Sequence, residues 1–275
     1  MKRKLRNNPN TPIMISVPHS GKFYPKIFLD YKNINLNDLK IMEDYQCSKI
    51  LDKVNPKHAD IIIADCSRAV VDLNRSRDSI DETMFIKNFI KTPQTETLMV
   101  NSGLGVFPKK CYNKEIFNIK LSEEYAIRLL QKYYDPYHEL ISKNLHNLKK
   151  SFGYAILIDI HSMPSKSFEN KYGPVDIVIG DNFGKSCSSR IKNYIINFFK
   201  KNNFNVTLNT PYAGGYITRN YGKKKFGYHA VQIEINKQLY MDENNYELNV
   251  NLEKLQKIFS KLFKEFLNIQ KVAAE

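Results

Sequence analysis

The chain has 275 residues, and its 42 Lys and Arg against 28 Asp and Glu give a net charge of +14 at neutral pH. Apolar residues make up 42% of the chain, and there are only 11 glycines and 11 prolines. This composition excludes collagen-like, low-complexity and wholly disordered chains. The basic residues are spread along the chain and are not interleaved with aromatic residues in a nucleic-acid-binding motif, so we expect no nucleic-acid partner.

Short apolar runs with the composition of buried β-strands alternate along the chain with longer segments of helical periodicity. The predicted strands are residues 13–17, 61–64, 154–160, 176–179, 206–209 and 230–235. The predicted helices are residues 39–54, 123–149, 184–201 and 252–272, with a break or kink at Pro136. This alternation predicts an α/β fold with a largely parallel or mixed sheet. Because no linker divides the chain, we expect a single domain over residues 1–275.

The chain shows no sign of a membrane span or a signal peptide. No run of 18 apolar residues lacks a charge, and the N-terminal apolar run is short and contains Pro12 and Pro18. The four cysteines are widely spaced and form no CxxC motif. That pattern predicts reduced thiols in a cytoplasmic protein without a membrane partner.

Polar residues directly after the predicted strands are the candidates for a functional site, because sites in α/β sheets form at the carboxyl ends of strands. His19 follows the first strand in a Pro-His-Ser-Gly turn, and taken alone it favours a turn histidine bonded to the backbone. Asp159 and His161 share one face if their strand continues, and polar groups there need a partner or a metal ion. Two histidines and a carboxylate at strand ends fit a metal site with an open position.

Glu234 lies within a strong strand pattern, on the face opposite to Val231, Ile233 and Ile235. It fits a general base whose pKa is tuned by partial burial. It fits equally a polar residue on the wet face of an amphipathic edge strand.

Arginines in two loops are suited to binding carboxylates in a bidentate manner. Arg68 and Arg75 flank Asp72 and Asn74, an arrangement that fits substrate binding or a salt-bridge network within the loop. Arg219 ends a glycine-containing loop after a predicted strand, which fits an anion site or a flexible loop.

A series of motifs occurs in one order from Pro18 to Glu243, across most of the chain. They are PHSG (18–21), SRAVVDLNR (67–75), GLGVFP (103–108), PYH (136–138), DIHSMPS (159–165), GDNFGKSC (180–187), PYAGGYITRNYG (211–222) and QIEINKQLYMDE (232–243). Together they resemble the N-formylglutamate amidohydrolase family, also called N-formylglutamate deformylase. The resemblance implies an α/β fold similar to zinc carboxypeptidases (phosphorylase/hydrolase-like), with a central mixed sheet flanked by helices. It also implies hydrolysis of N-formyl-L-glutamate to formate and L-glutamate late in histidine breakdown.

The resemblance also implies the site residues. His19 and His161 match two metal ligands, with Asp44 as the third ligand and Glu43 as its alternative, for Zn²⁺ or another divalent ion. Glu234 matches the general base, and Arg219 a group that stabilises the oxyanion. The residues that match substrate-binding positions, for a small anionic N-acyl amino acid, are Arg68, Asn74, Arg75, Tyr216 and Arg219.

Other functions remain open at this point. One alternative is a hydrolase of the same fold that acts on another N-acyl amino acid or small amide. Such an enzyme has the same metal and base motifs. A catalytically silent basic binding protein fits the charge but not the intact set of His19, His161 and Glu234. A serine or cysteine hydrolase is disfavoured. Ser20 and Ser162 each directly follow a histidine, but adjacent side chains on an extended strand point in opposite directions, and no GxSxG motif is present.

Overall fold

The computed structural model describes residues 1–5, 9–86, 97–168 and 174–266. In chain order its strands are β1 (Lys2–Lys4), β2 (Ile13–Val17), β3 (Asp60–Ile63), β4 (Lys110–Cys111), β5 (Lys114–Glu115), β6 (Ala155–Met163), β7 (Ile177–Gly180), β8 (Val206–Leu208), β9 (Tyr228–Asn236), β10 (Met241–Asp242) and β11 (Glu247–Leu248). Its α-helices are α1 (Lys26–Tyr31), α2 (Leu36–Leu39), α3 (Thr97–Asn101), α4 (Glu123–Leu129), α5 (Asp135–Phe152), α6 (Ser189–Lys201), α7 (Tyr216–Tyr221) and α8 (Leu252–Glu265).

The described residues form two compact units. One contains residue 1 with Pro18–Tyr45 and Ala64–Leu140, and the other contains Lys2–Val17, Gln46–Ile63 and the described part of Ile141–Glu275. The single domain over 1–275 therefore stays a prediction.

The second unit is built on a seven-stranded sheet in the order β1-β3-β2-β6-β9-β7-β8. β1 and β7 run antiparallel to their neighbours β3 and β9, and the remaining pairs are parallel. Helix α6 packs against β7 and β8, and α7 against β6 and β9. The predicted α/β fold with a central mixed sheet flanked by helices is confirmed.

Every predicted strand forms part of this sheet, and two of them differ from the prediction in a way that matters for the site. β6 continues beyond the predicted end at residue 160 to Met163, and all nine of its residues are buried. Asp159 and His161 therefore lie inside a strand at the centre of the sheet. β9 is the other central strand and is buried from Ala230 to Asn236, so the edge-strand interpretation of Glu234 is wrong.

The predicted helix over 123–149 is interrupted as expected. α4 begins at a Ser122 cap, whose Oγ accepts a hydrogen bond from Tyr125 N, and a π-helical turn at Leu130–Tyr134 separates it from α5. The irregular segment ends two residues before Pro136, and α5 continues through the proline to Phe152. The chain therefore stays helical at Pro136, and the predicted irregularity takes the form of a π-helical turn just before it.

The predicted helix over 39–54 is wrong. That segment folds into short 3₁₀ turns, Lys40–Met42 and Cys47–Leu51, separated by Gln46 in the left-handed region at φ 61°. Isolated turns bury the same apolar residues as a helix, and here they also turn the acidic residues Glu43 and Asp44 into the interior. Periodicity alone does not separate the two cases.

The other predicted helices are present with changed ends. α6 begins at Ser189, because Ser188 caps it by accepting a hydrogen bond from Ile191 N. α8 begins at Leu252 as predicted, and residues 267–272 of the prediction lie outside the described part of the chain. Within the described residues, no helix combines the length and hydropathy that crossing a bilayer requires. The four cysteines are buried and carry free thiols.

Candidate active site

His19 follows β2 by two residues and is buried with 2% of its surface exposed. Its Nε2 lies 2.7 Å from Asp72 Oδ1, and its Nδ1 lies 3.7 Å from Asp44 Oδ2. The backbone N–H of Asp44 donates to the His19 carbonyl at 3.0 Å, which ties the two residues together. The imidazole thus lies between two buried carboxylates, an arrangement that a turn histidine bonded to backbone does not explain.

Asp72 is the residue that fixes the His19 ring. Besides His19 it accepts hydrogen bonds from the Asn74 backbone N–H at 2.8 Å and from Arg68 Nη2 at 2.7 Å. Burial acts to raise the pKa of Asp72, but the positive charges of Arg68 and Arg75 and the hydrogen bond from His19 outweigh it and hold that pKa well below its usual range. An ionised Asp72 accepts the Nε2 proton of His19 and leaves the Nδ1 lone pair on the side of Asp44.

From the sequence, Asp72 fits an Arg–Asp network within its loop and is not among the predicted site residues. The sequence around Asp72 does indicate a buried role, because an acidic residue that interrupts the apolar run Ala69–Leu73 needs a buried partner. The identity of that partner depends on the tertiary structure.

Glu43 and Asp44 were alternatives for the same position, and the structure separates them. Glu43 Oε1 accepts hydrogen bonds from Tyr24 Oη at 2.5 Å and from Ser67 Oγ at 2.6 Å. Burial and the Glu43 charge raise the pKa of Tyr24, so its phenol stays a donor. The Glu43 carboxylate is therefore held by two hydroxyl groups. This favours Asp44 over Glu43 as the candidate metal ligand beside His19.

His161 repeats the arrangement of His19 inside β6. Its Nε2 lies 2.9 Å from Asp159 Oδ2, and Asp159 Oδ1 accepts a hydrogen bond from Ser16 Oγ at 2.8 Å. Asp159 is fully buried and His161 is 3% exposed. A carboxylate therefore orients this imidazole also through Nε2.

His19, Asp44 and His161 each offer one ligand atom, and these atoms all lie within 4.8 Å of one another. Two imidazoles and one carboxylate are a donor set of catalytic zinc sites, which keep a further position open. Carboxylates behind both imidazoles are the usual second partners of histidines that bind metal. By the chemistry of its donors, this group fits a divalent metal ion.

Glu234 lies on β9 directly opposite His161 of β6 in the parallel register. Opposed residues of a parallel pair point to the same face of the sheet, so the carboxylate and the imidazole share a face. Glu234 is 7% exposed, and its Oε1 accepts a hydrogen bond of 2.7 Å from Gln232 Nε2. A buried carboxylate held in this way is suited to proton transfer.

The residues predicted to bind substrate fall into two groups. Arg68 donates Nε and Nη2 to Asp72, and Arg75 donates to the Leu104 and Asn74 carbonyls, so both guanidinium groups take part in a network inside the loop. Arg219 is exposed on α7, with Nη1 3.3 Å from the Gly214 carbonyl, and Tyr216 is the first residue of the same helix. A substrate contact for any of them stays a prediction.

Comparison with known proteins gives a consistent result. The family model for N-formylglutamate amidohydrolase matches residues 11–241. The chain is 30% identical over 240 residues to the N-formylglutamate deformylase of Pseudomonas aeruginosa, a match that covers 84% of this chain and 83% of that protein. It is 28% identical over 239 residues to the N-formylglutamate deformylase of Pseudomonas putida, covering 84% and 82%.

A solved structure with a similar fold is that of the N-formylglutamate amidohydrolase from Ralstonia eutropha JMP134. It has a TM-score of 0.88 and 24% sequence identity, over 99% of this chain and 98% of the other. At that identity the likeness is one of fold.

Arg68→Met tests the contribution of the network around Asp72. The variant removes two donors from a buried carboxylate, so we expect the free energy of unfolding to fall by about 1–3 kcal/mol in urea denaturation. Arg77→Met is the matched control, because Arg77 is 47% exposed where it pairs with Asp135, and we expect a loss below about 1 kcal/mol. Equal losses in the two variants contradict the role given to Arg68.

Proposed function

The chain belongs to the N-formylglutamate amidohydrolase family, and we propose from this that it hydrolyses the formyl amide of N-formyl-L-glutamate to formate and L-glutamate. The observation that carries the chemistry is the buried group of His19, Asp44 and His161, with Glu234 opposite His161 in the sheet. The names of the Pseudomonas relatives supply the substrate.

We assign His19, Asp44 and His161 to one divalent ion, Zn²⁺ or another. When bound, such an ion supplies Lewis acidity, lowering the pKa of a coordinated water towards about 7 and polarising the formyl oxygen. Asp72 and Asp159 keep the two rings in the required tautomer and orientation, because each accepts the proton on Nε2.

Glu234 is the general base in this proposal. An amide resists hydrolysis because resonance stabilises it and because its nitrogen leaves poorly unless it is protonated. The Glu234 carboxylate accepts a proton from the attacking water and then delivers that proton to the departing nitrogen. Water is thereby added across the carbon–nitrogen bond, and formate and the free amine of glutamate are the products.

The substrate carries two carboxylates, which the arginines are suited to bind. We assign Arg219 to a substrate carboxylate or to the developing oxyanion, because it is exposed and follows the Gly214-Gly215 loop. Arg68, Asn74, Arg75 and Tyr216 complete the proposed set of substrate-binding residues. The net charge of +14 favours the approach of a dianion. A cytoplasmic location and a place late in histidine breakdown belong to the same proposal.

A panel of N-acyl amino acids tests the function directly. We expect formate release from N-formyl-L-glutamate, loss of activity after a chelator, and recovery with Zn²⁺. N-acetyl-L-glutamate and N-formyl-L-methionine test the acyl group and the side chain in turn. Preference for either of these shifts the substrate to another N-acyl amino acid. A protein that hydrolyses none of them, holds no metal and binds DNA in a salt-sensitive manner is a basic binding protein instead.

His161→Ala tests the metal ligands. Removal of one of three protein ligands is expected to abolish stoichiometric Zn²⁺ binding, measured by elemental analysis after dialysis. His146→Ala, at an exposed position of α5, is the control and is expected to retain the metal. Retention of a full equivalent of metal by His161→Ala removes this residue from the ligand set.

Glu234→Gln tests the general base. The amide keeps the shape of the side chain but accepts no proton, so we expect full metal content and a kcat lowered by about 10²–10⁴-fold. Glu247→Gln, at an exposed position of β11, is the matched control and is expected to behave as the wild type. A kcat near that of the wild type in Glu234→Gln rules out Glu234 as the base.

A further inference from the structure

Gln232 is a buried amide that the proposed mechanism does not use. It lies on β9 two residues before Glu234, so the two side chains share one face of the strand. Only 4% of its surface is exposed. A buried amide has two donors and an acceptor to satisfy, so its partners show what it holds in place.

The side chain of Gln232 joins Glu234 to the glycine loop. Its Oε1 accepts a hydrogen bond of 2.7 Å from the Gly215 backbone N–H, and its Nε2 donates one of 2.7 Å to Glu234 Oε1. A backbone N–H only donates, so the oxygen of the amide has to face Gly215. The NH₂ group is thereby directed at Glu234, and the orientation of the amide is set by chemistry.

The glycine loop is shaped for this contact. Gly214 has φ +117°, and a Cβ at that position would lie 2.8 Å from Thr218 Cγ2. A residue with a side chain is therefore excluded at position 214, and the backbone of the loop passes closely over α7 before Gly215 donates to Gln232. The same helix carries Tyr216 and Arg219.

We propose that Gln232 is a positioning residue, which holds the Glu234 carboxylate in its reactive orientation by linking it to the backbone of the Gly214-Gly215 loop. This inference rests on the proposed role of Glu234 as the general base. Gln232 itself touches no reacting atom. Its NH₂ group occupies one oxygen of the carboxylate, and a misplacement of a catalytic group by about 1 Å is enough to lower the rate about 10²-fold.

Gln232→Met and Gln232→Glu separate the two hydrogen bonds. Methionine has a similar length and removes both bonds. Glutamate still accepts from Gly215 but replaces the NH₂ donor by a second carboxyl group, which repels Glu234 or shares a proton with it. For both variants we expect kcat to fall about 10- to 100-fold with KM changed less than about threefold and full metal content. Gln238→Met, at an exposed position, is the control and is expected to match the wild type.

Amide hydrogen exchange at Gly215 gives a readout that does not depend on activity. The N–H should exchange faster in Gln232→Met and stay protected in Gln232→Glu and Gln238→Met. Wild-type kcat in both Gln232 variants, or a loss of melting temperature with kcat unchanged, overturns the inference. If the wild type hydrolyses no member of the substrate panel, the proposed function fails. In that case the Gly215 exchange rate still tests the hydrogen bond between Gln232 and Gly215. An unchanged rate in Gln232→Met overturns this hydrogen bond as well, and a faster rate supports it.

Discussion

The hydrogen bond from a buried carboxylate to the Nε2 of a histidine is the interaction on which the candidate site depends. It occurs at His19 with Asp72 and at His161 with Asp159, and all four side chains are buried. A buried carboxylate is unfavourable unless it is paired or hydrogen-bonded. Arg68 and the Asn74 backbone N–H stabilise Asp72, while Ser16 Oγ stabilises Asp159. Each ring is then held in one orientation by a carboxylate that is itself stabilised by hydrogen bonds.

The sheet supplies the second constraint. β6 and β9 pair in parallel from Ala155 with Tyr228 to Met163 with Asn236, which places Asp159 opposite Gln232 and His161 opposite Glu234. Because side chains alternate between the faces of a strand, a slip of one residue would turn Glu234 away from His161. The apolar residues of the opposite faces, such as Ile160 and Ile233, are fully buried and hold the register. Packing of the hydrophobic core thus determines the geometry of a polar site.

The strands were largely predictable from the sequence and the helices less so. Runs such as Ile13–Val17 have the length and β-branched composition that only buried strands combine, and that strand matches its prediction. The segment 39–54 has apolar residues at helical spacing but forms 3₁₀ turns, and in these turns the carboxylates of Glu43 and Asp44 are buried. The extension of β6 to Met163 was missed, because Asp159 and His161 resemble a strand end when their buried partners are unknown.

The sequence by itself determined the fold class and the family, because motif order and hydrophobic pattern are local properties, and it singled out His19, His161, Glu234 and the arginines as candidates. Only the tertiary structure decided between Glu43 and Asp44, brought Asp72 to His19 across 53 positions, and linked Gln232 to Gly215. The physical reason is that these outcomes depend on which donor meets which buried acceptor. Such pairings join residues far apart along the chain, and they are set by strand register and by the turns that pack against the sheet.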